Sequence, residues 1–187
     1  VVFDMDGVVV DSMAVLRELA IRVVSVRYAL STQKAEQWYC DTEGLPFAQQ
    51  LELNWPGDCR NCVAAAEYQD RHLALAVTFP LAPGMPLVAR YFKDRGVMMG
   101  LVSSTDTRII LTMLQLDRLG FDRVCGHQNG QNKADQIRSI KVGFGLGSAE
   151  TLFVGDSSID AIFADLADVA FRRLTCATLL ELIRPWP

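Results

Sequence analysis

Val1-Val2-Phe3-Asp4-Met5-Asp6-Gly7-Val8-Val9-Val10-Asp11-Ser12 opens the chain, and its reading decides the fold. A short apolar run stops at two aspartates two positions apart, and a glycine follows. In a strand, residues i and i+2 share a face. With Val1 to Asp4 as a strand, Asp4 stands at its carboxyl end, where open parallel sheets bind ligands. Gly7 lets the backbone turn sharply there. Two carboxylates this close repel unless a cation lies between them or one is protonated. One carboxylate can act as a nucleophile and the other as general acid and base. Asp and Gly are also ordinary turn residues, so the rest of the chain has to decide.

From Asp11 to Phe79 the pattern is helical throughout. Asp11 or Ser12 can cap a helix to about Tyr28, with Leu16, Leu19, Ala20, Val23 and Val24 at helical spacing. A helix through Trp38 and Tyr39 ends at Glu43-Gly44-Leu45-Pro46. Phe47 to Leu53 forms a short helix, Trp55-Pro56-Gly57-Asp58 breaks it, and Cys62 to about Val77 forms a long one. Pro80-Leu81-Ala82-Pro83-Gly84 is the hinge back. Beyond it, strands and helices alternate. Strands are expected at Val97–Val102, Phe121–Cys125, Thr151–Val154 and Asp168–Phe171. Helices are expected at Met85–Arg95, Thr107–Leu119, Lys133–Phe144, Ser157–Leu166 and Ala177–Ile183. Such alternation builds a parallel sheet covered on both faces. The expected architecture is α/β and Rossmann-like, with a core of residues 1–11 and 81–187 and an inserted helical cap of residues 12–80.

Composition narrows the function. The chain has 187 residues, half of them hydrophobic, and a net charge of −4. That suits one domain with an insertion and carries no basic run, so nucleic acid is not the expected partner. No apolar stretch reaches the ~18 residues of a membrane span. The chain begins on Val1 inside a strand, without an initiator methionine, so a few residues are expected to precede it. Five cysteines at irregular spacing suit a reducing, cytoplasmic setting rather than a disulfide framework. Cys59 and Cys62 have the spacing of half a zinc site. No second such pair exists, four ligands would need Cys40 and His72 as well, and thiols on a helical segment are the simpler reading.

Three expected strands end in a polar residue: Asp4, Ser103 and Asp156. In a parallel sheet those ends share one edge and converge on one crevice. Asp160 follows Asp156 by four positions, on the same helix face. Lys133 stands at a helix start, where the dipole disfavours a cation, a misfit that suits a lysine facing a bound anion.

With these residues placed, the sequence resembles the haloacid dehalogenase superfamily. Phe3-Asp4-Met5-Asp6-Gly7 matches its first motif and Leu101-Val102-Ser103 its second. Lys133 matches the third, and Gly155-Asp156-Ser157-Ser158-Ile159-Asp160 the fourth. The helical segment looks like the cap of the phosphoglycolate phosphatase and β-phosphoglucomutase branch. Lys133-Ala134-Asp135 lacks the prolines that usually follow the motif lysine, and Leu166 to Phe171 is closer to the phosphoserine phosphatase-like branch.

The resemblance implies a Mg²⁺-dependent phosphatase acting on a small phosphorylated metabolite, a sugar phosphate or an organic acid phosphate. It implies Asp4 as nucleophile, forming an aspartyl-phosphate, and Asp6 as the acid and base. Ser103 and Lys133 would hold the phosphoryl group. Asp4, Asp156 and the backbone carbonyl of Asp6 would hold Mg²⁺, with Asp160 orienting metal-bound water or Lys133. Substrate choice would come from the cap. The Glu43–Phe47 break is the expected loop over the site, and Arg60 and Arg71 are either solvated helix residues or partners of a second anion. Two other readings stay open. One is a phosphomutase that passes the phosphoryl group to a second sugar hydroxyl. The other is a non-catalytic binding domain of the same fold. Oligomeric state is not legible.

Overall fold

A computed structural model of the chain describes residues 1–113, 115–128 and 131–184. Strand β1 (Val2–Asp4) lies at the centre of a five-stranded sheet. Its neighbours are β2 (Gly100–Asp106) and β4 (Leu152–Gly155), and β3 (Arg123–His127) and β5 (Ala170–Arg173) form the edges. All four pairings are parallel, in the order β3-β2-β1-β4-β5.

The two-residue period of the strands sorts the core into two layers. Val2, Val102 and Phe153 face a cluster with Ala134, Ile137, Ile140 and Ala164. These come from helices α7 (Lys133–Gly143) and α8 (Ser158–Leu166). Phe3, Leu101 and Val154 face the opposite cluster, with Met85, Val88 and Phe92 of α5 (Met85–Lys93). Strands buried on both faces carry continuous apolar runs, as Val1-Val2-Phe3 does.

Between β1 and α5 lie α1 (Met13–Tyr28), α2 (Thr32–Thr42), α3 (Phe47–Asn54) and α4 (Arg60–Ala76). They share a cluster of their own, containing Leu19, Val23, Trp38, Phe47 and Leu51. The two ends of this segment are tied together. Asp11 N donates to Pro80 O and Ala82 N to Val9 O, beside an antiparallel bridge between Val10 and Leu81. The helices therefore enter and leave the sheet at one point, beside β1.

Several boundaries depart from the sequence expectation. β2 begins at Gly100 and runs past Ser103 to Asp106, with a register shift between Val102 and Asp106. Val97 instead closes α5, donating to Phe92 O. β3 and β5 each start two residues later than expected. The helix expected over Thr107–Leu119 is a short α6 (Thr107–Ile110) followed by turns and a 3-10 turn at Asp117–Leu119. Met113, Leu116 and Leu119 each donate to the carbonyl three residues back, so their three-residue apolar spacing fits this tighter winding. Leu114 of that stretch lies outside the described residues. The closing helix is a 3-10 turn, Leu179–Leu182, anchored by buried Leu179.

Candidate active site

The register brings the polar residues to one edge. Asp4 pairs with Val102, so Ser103 stands one residue above it, and Phe3 pairs with Val154, so Asp156 stands two residues beyond. Lys133 starts α7, which Asn132 and Asp135 close with a reciprocal capping box. Asn129 and Gly130, in the loop expected ahead of it, lie outside the described residues.

Asp4 and Lys133 are both buried. Lys133 Nζ lies 3.0 Å from Asp4 Oδ1 and donates to Asp160 Oδ1 at 2.7 Å. Burial alone would lower the lysine, but Asp4 and Asp160 outweigh it and hold the ammonium above its ordinary value. Burial raises the Asp4 carboxyl well above the usual range, Lys133 opposes this, and Asp160 and Asp156 add to it. The Met5 amide donates to Asp4 Oδ1 and fixes its orientation.

Asp160 has two tasks. Its Oδ1 accepts a hydrogen bond from Lys133 Nζ, while its Oδ2 accepts from the Ser157 amide and hydroxyl at the start of α8. Burial would raise it, but Lys133 and Ser157 prevail and hold it below the ordinary carboxylate range.

Asp6 belongs to a second network. Ser12 Oγ donates to its Oδ1 at 2.6 Å, and Thr105 Oγ1 donates to its Oδ2 at 2.9 Å. Ser103 Oγ lies 3.4 Å from the same Oδ2. Ser12 therefore uses its hydroxyl on Asp6 rather than to cap α1. The Ser103 backbone is itself clamped, donating to Gln136 Oε1 and accepting from Gln136 Nε2.

Gly7 sits at φ +81°, and a Cβ there would lie 2.2 Å from Asp156 Oδ2. Its bare backbone makes room for the Asp156 carboxylate. Burial and then the Asp160 charge push Asp156 up to about 7, with Lys133 opposing.

Asp4, Asp156 and Asp160 bring ligand atoms within 4.8 Å of one another, the acidic cluster among the described residues. The Asp6 carboxylate is not part of it. The bridge between Asp6 and Val10 uses the Met5 carbonyl and the Gly7 amide, neither of them Asp6's own. A cluster of carboxylate oxygens with crowded negative charge fits a hard divalent cation such as Mg²⁺.

Above these residues is a cavity of about 270 Å³. Its floor includes Asp4, Asp6, Ser103, Lys133 and Asp156. Its roof comes from the helical segment, including Glu43–Ala48, Tyr68 and His72. The Glu43–Phe47 loop thus reaches the site as expected. Ser104 Oγ donates to Gly44 O at 2.9 Å, and Gln69 Nε2 donates to Asp106 Oδ2 at 3.0 Å. Arg60 and Arg71 lie elsewhere, paired with Asp58 and Glu67 on the surface. Cys40, Cys59 and Cys62 are exposed, while His72 lines the cavity.

Sequence reading missed Thr105 and Gln136. Thr105 carries a signal in retrospect, since it follows Ser103 by two positions on the same strand face. Gln136 carries none, because one polar residue on a helix says nothing of the strand it meets.

Known proteins resemble this chain in sequence and in fold. The model of haloacid dehalogenase-like hydrolases matches residues 1–173. A phosphoglycolate phosphatase of Cereibacter sphaeroides is 27% identical over 184 residues, covering 94% of this chain and 84% of that protein. Phosphoglycolate phosphatase 1 of Pseudomonas aeruginosa is 26% identical over 186 residues, covering 94% and 68%. A haloacid dehalogenase-like hydrolase structure from Bacteroides fragilis superposes with a TM-score of 0.78 at 19% identity, over 97% of this chain and 91% of that one. The chain belongs to the haloacid dehalogenase-like hydrolases. Within that class it is a phosphatase, a hydrolase of phosphoric monoesters. No helix among the described residues is long and apolar enough to cross a membrane.

Proposed function

We propose that the chain hydrolyses a small phosphorylated metabolite through an aspartyl-phosphate on Asp4, with Mg²⁺ as cofactor. The observation that carries this reading is the joint placement of Asp4, Lys133 and Asp156 beneath one cavity, with Asp6 beside them. Phosphoryl transfer needs an in-line nucleophile and positive charge on the equatorial oxygens.

An Asp4 carboxylate oxygen attacks phosphorus and the ester P–O bond breaks. Asp6, in its acid form, gives its proton to the leaving alkoxide. Ionised Asp6 then takes a proton from water, whose oxygen attacks phosphorus, and the bond to Asp4 breaks to release inorganic phosphate. Ser12 and Thr105 hold Asp6 still for both proton transfers. Ser103 Oγ and Lys133 Nζ hold the phosphoryl oxygens. Asp4, Asp156 and the Asp6 carbonyl would hold Mg²⁺, which when bound neutralises charge between nucleophile and phosphate. Asp160 acts by positioning Lys133. Residues 12–80 serve as a cap on the core of residues 1–11 and 81–187, and exclude water from the cavity.

The test is phosphate release from a panel of small phosphomonoesters, with Mg²⁺ and with chelator, beside Asp4→Asn. Metal-dependent release that disappears in Asp4→Asn is the expected result. Isomerisation of a sugar phosphate without phosphate release would replace the reading with a mutase. Absence of both phosphate release and isomerisation would overturn it.

A further inference from the structure

The upper half of the cavity has an unusual charge balance. Among the described lining residues Lys133 is the one lysine or arginine, and it is already paired with Asp4 and Asp160. The lining also includes Glu43 on the roof and Asp106 at the end of β2. Asp106 is engaged by Gln69 and Arg108, and Arg108 lies outside the lining, as does Arg17, whose charge acts on Glu43. A substrate carrying a second anion beyond its phosphate would meet carboxylates there.

The rest of the roof carries no carboxylate or cation: Gln50 and Gln69 line it beside aromatic and apolar side chains. Phe47 of α3 stacks on Tyr68 of α4, with ring centroids 4.0 Å apart and planes 12° apart. His72, one turn further along α4, meets Tyr68 edge-on at 5.7 Å. Its ring borders the cavity, only 3% of its surface is exposed, and its Nε2 has no hydrogen-bond partner. Buried polar atoms are rarely left in that state. Burial also holds this imidazole below its ordinary range, with Asp6 opposing, so it offers a neutral donor and acceptor rather than a cation.

Resting on the phosphatase reading above, we propose that the substrate's leaving group is an uncharged, hydroxyl-bearing alcohol. His72 is the specificity-determining residue that hydrogen-bonds one of its hydroxyls. The class is that of polyol or sugar phosphates, and it differs from phosphoglycolate, named for the relatives, whose far end is a carboxylate.

Two matched pairs test this: 2-hydroxyethyl phosphate against 2-phosphoglycolate, and glycerol 3-phosphate against 3-phosphoglycerate. Binding to Asp4→Asn is measured by calorimetry with saturating Mg²⁺, so the result does not depend on turnover. The neutral member of each pair should bind about tenfold more tightly or better, given the cost of like-charge contact. Equal or tighter binding of the carboxylates, or no binding of either member, would overturn the inference. If the wild type releases no phosphate, the phosphatase reading falls, while the binding ratios still judge the leaving-group class.

His72→Phe keeps the ring and removes its nitrogens. It should cut the neutral-to-carboxylate affinity ratio by up to about tenfold, the upper worth of one neutral hydrogen bond. His72→Gln should restore part of that ratio. An equal loss for both members of a pair would mark a structural role and overturn the assignment of His72.

Discussion

Lys133 Nζ donates to Asp160 Oδ1 at 2.7 Å, inside the protein and 3.0 Å from Asp4. One buried cation thus serves two buried carboxylates, and the pair joins α7 to α8 across the rear of the site. Removing the cation leaves both carboxylates buried without it and strands the charge of Asp160, which Lys133 helps to hold below the ordinary range. Lys133→Met should destabilise the metal-free fold by about 3–5 kcal/mol, the usual cost of breaking a buried pair from one side. Adding Asp160→Asn should recover part of that loss, because one stranded charge is gone. Urea unfolding of the three proteins measures both effects, and equal stability of wild type and Lys133→Met would refute the pairing.

Asp6 accepts a hydroxyl hydrogen bond on each oxygen, an arrangement that fixes where its carboxyl points. Asp6→Asn should lower kcat by about 10²–10⁴-fold, the range for a lost general acid and base. Its stability and Mg²⁺ affinity should change little. Thr105→Val removes one orienting hydrogen bond and should cost at most about tenfold in kcat. Steady-state kinetics on one ester checks both, and a Thr105→Val protein as impaired as Asp6→Asn would show that the hydroxyl does more than orient.

These two networks differ in how far the sequence revealed them. Asp4, Asp6, Lys133, Asp156 and Asp160 were legible because each stands at or just past a strand end or in the first turn of a helix, where local spacing and sheet topology together dictate position, and Ser103 was legible from the same edge although β2 runs on past it. Gln136 was not, because its hydrogen bonds to the Ser103 backbone join residues 33 positions apart. The boundary of β2 failed for a related reason. Ser103, Ser104 and Thr105 look like a turn in sequence, but Gln136, Gly44 and Asp6 satisfy their polar groups and the strand continues. The Thr107–Leu119 stretch shows the limit of apolar spacing, since a three-residue period fits α and 3-10 winding equally over so short a run.

Gly7 makes the close approach of the first loop to Asp156 possible. A Cβ at this position would meet Asp156 Oδ2 at 2.2 Å, and the backbone sits at φ +81°. Gly7→Ala should therefore displace the Asp156 carboxylate and strain the turn. The expected outcome is Mg²⁺ affinity weaker by about tenfold or more, with a fold destabilised by at least ~1 kcal/mol. Calorimetric Mg²⁺ titration and thermal unfolding read the two effects separately. Unchanged Mg²⁺ affinity would mean that Asp156 does not hold the ion.

Asp156 also makes the metal-free protein sensitive to pH. Burial, then the Asp160 charge, carries its carboxyl from 3.8 up to about 7 in the fold, against the pull of Lys133. Between about pH 4 and 7 the folded protein keeps a proton that the unfolded chain has lost. Stability contributed by this group is therefore present at the acid end and declines as pH rises towards 7, by up to about 1.4 kcal/mol per unit. Asp4, also raised, acts in the same direction, so the effect of Asp156 is isolated by subtraction. The stability of wild type minus that of Asp156→Asn, measured by denaturant unfolding in chelator, should fall steadily from pH 5 to 7 and then level off. Saturating Mg²⁺ should abolish the decline, because the ion favours the ionised carboxylate. Parallel wild-type and variant curves across that interval would show that Asp156 is ionised throughout, and that the cluster already balances its charge without a metal.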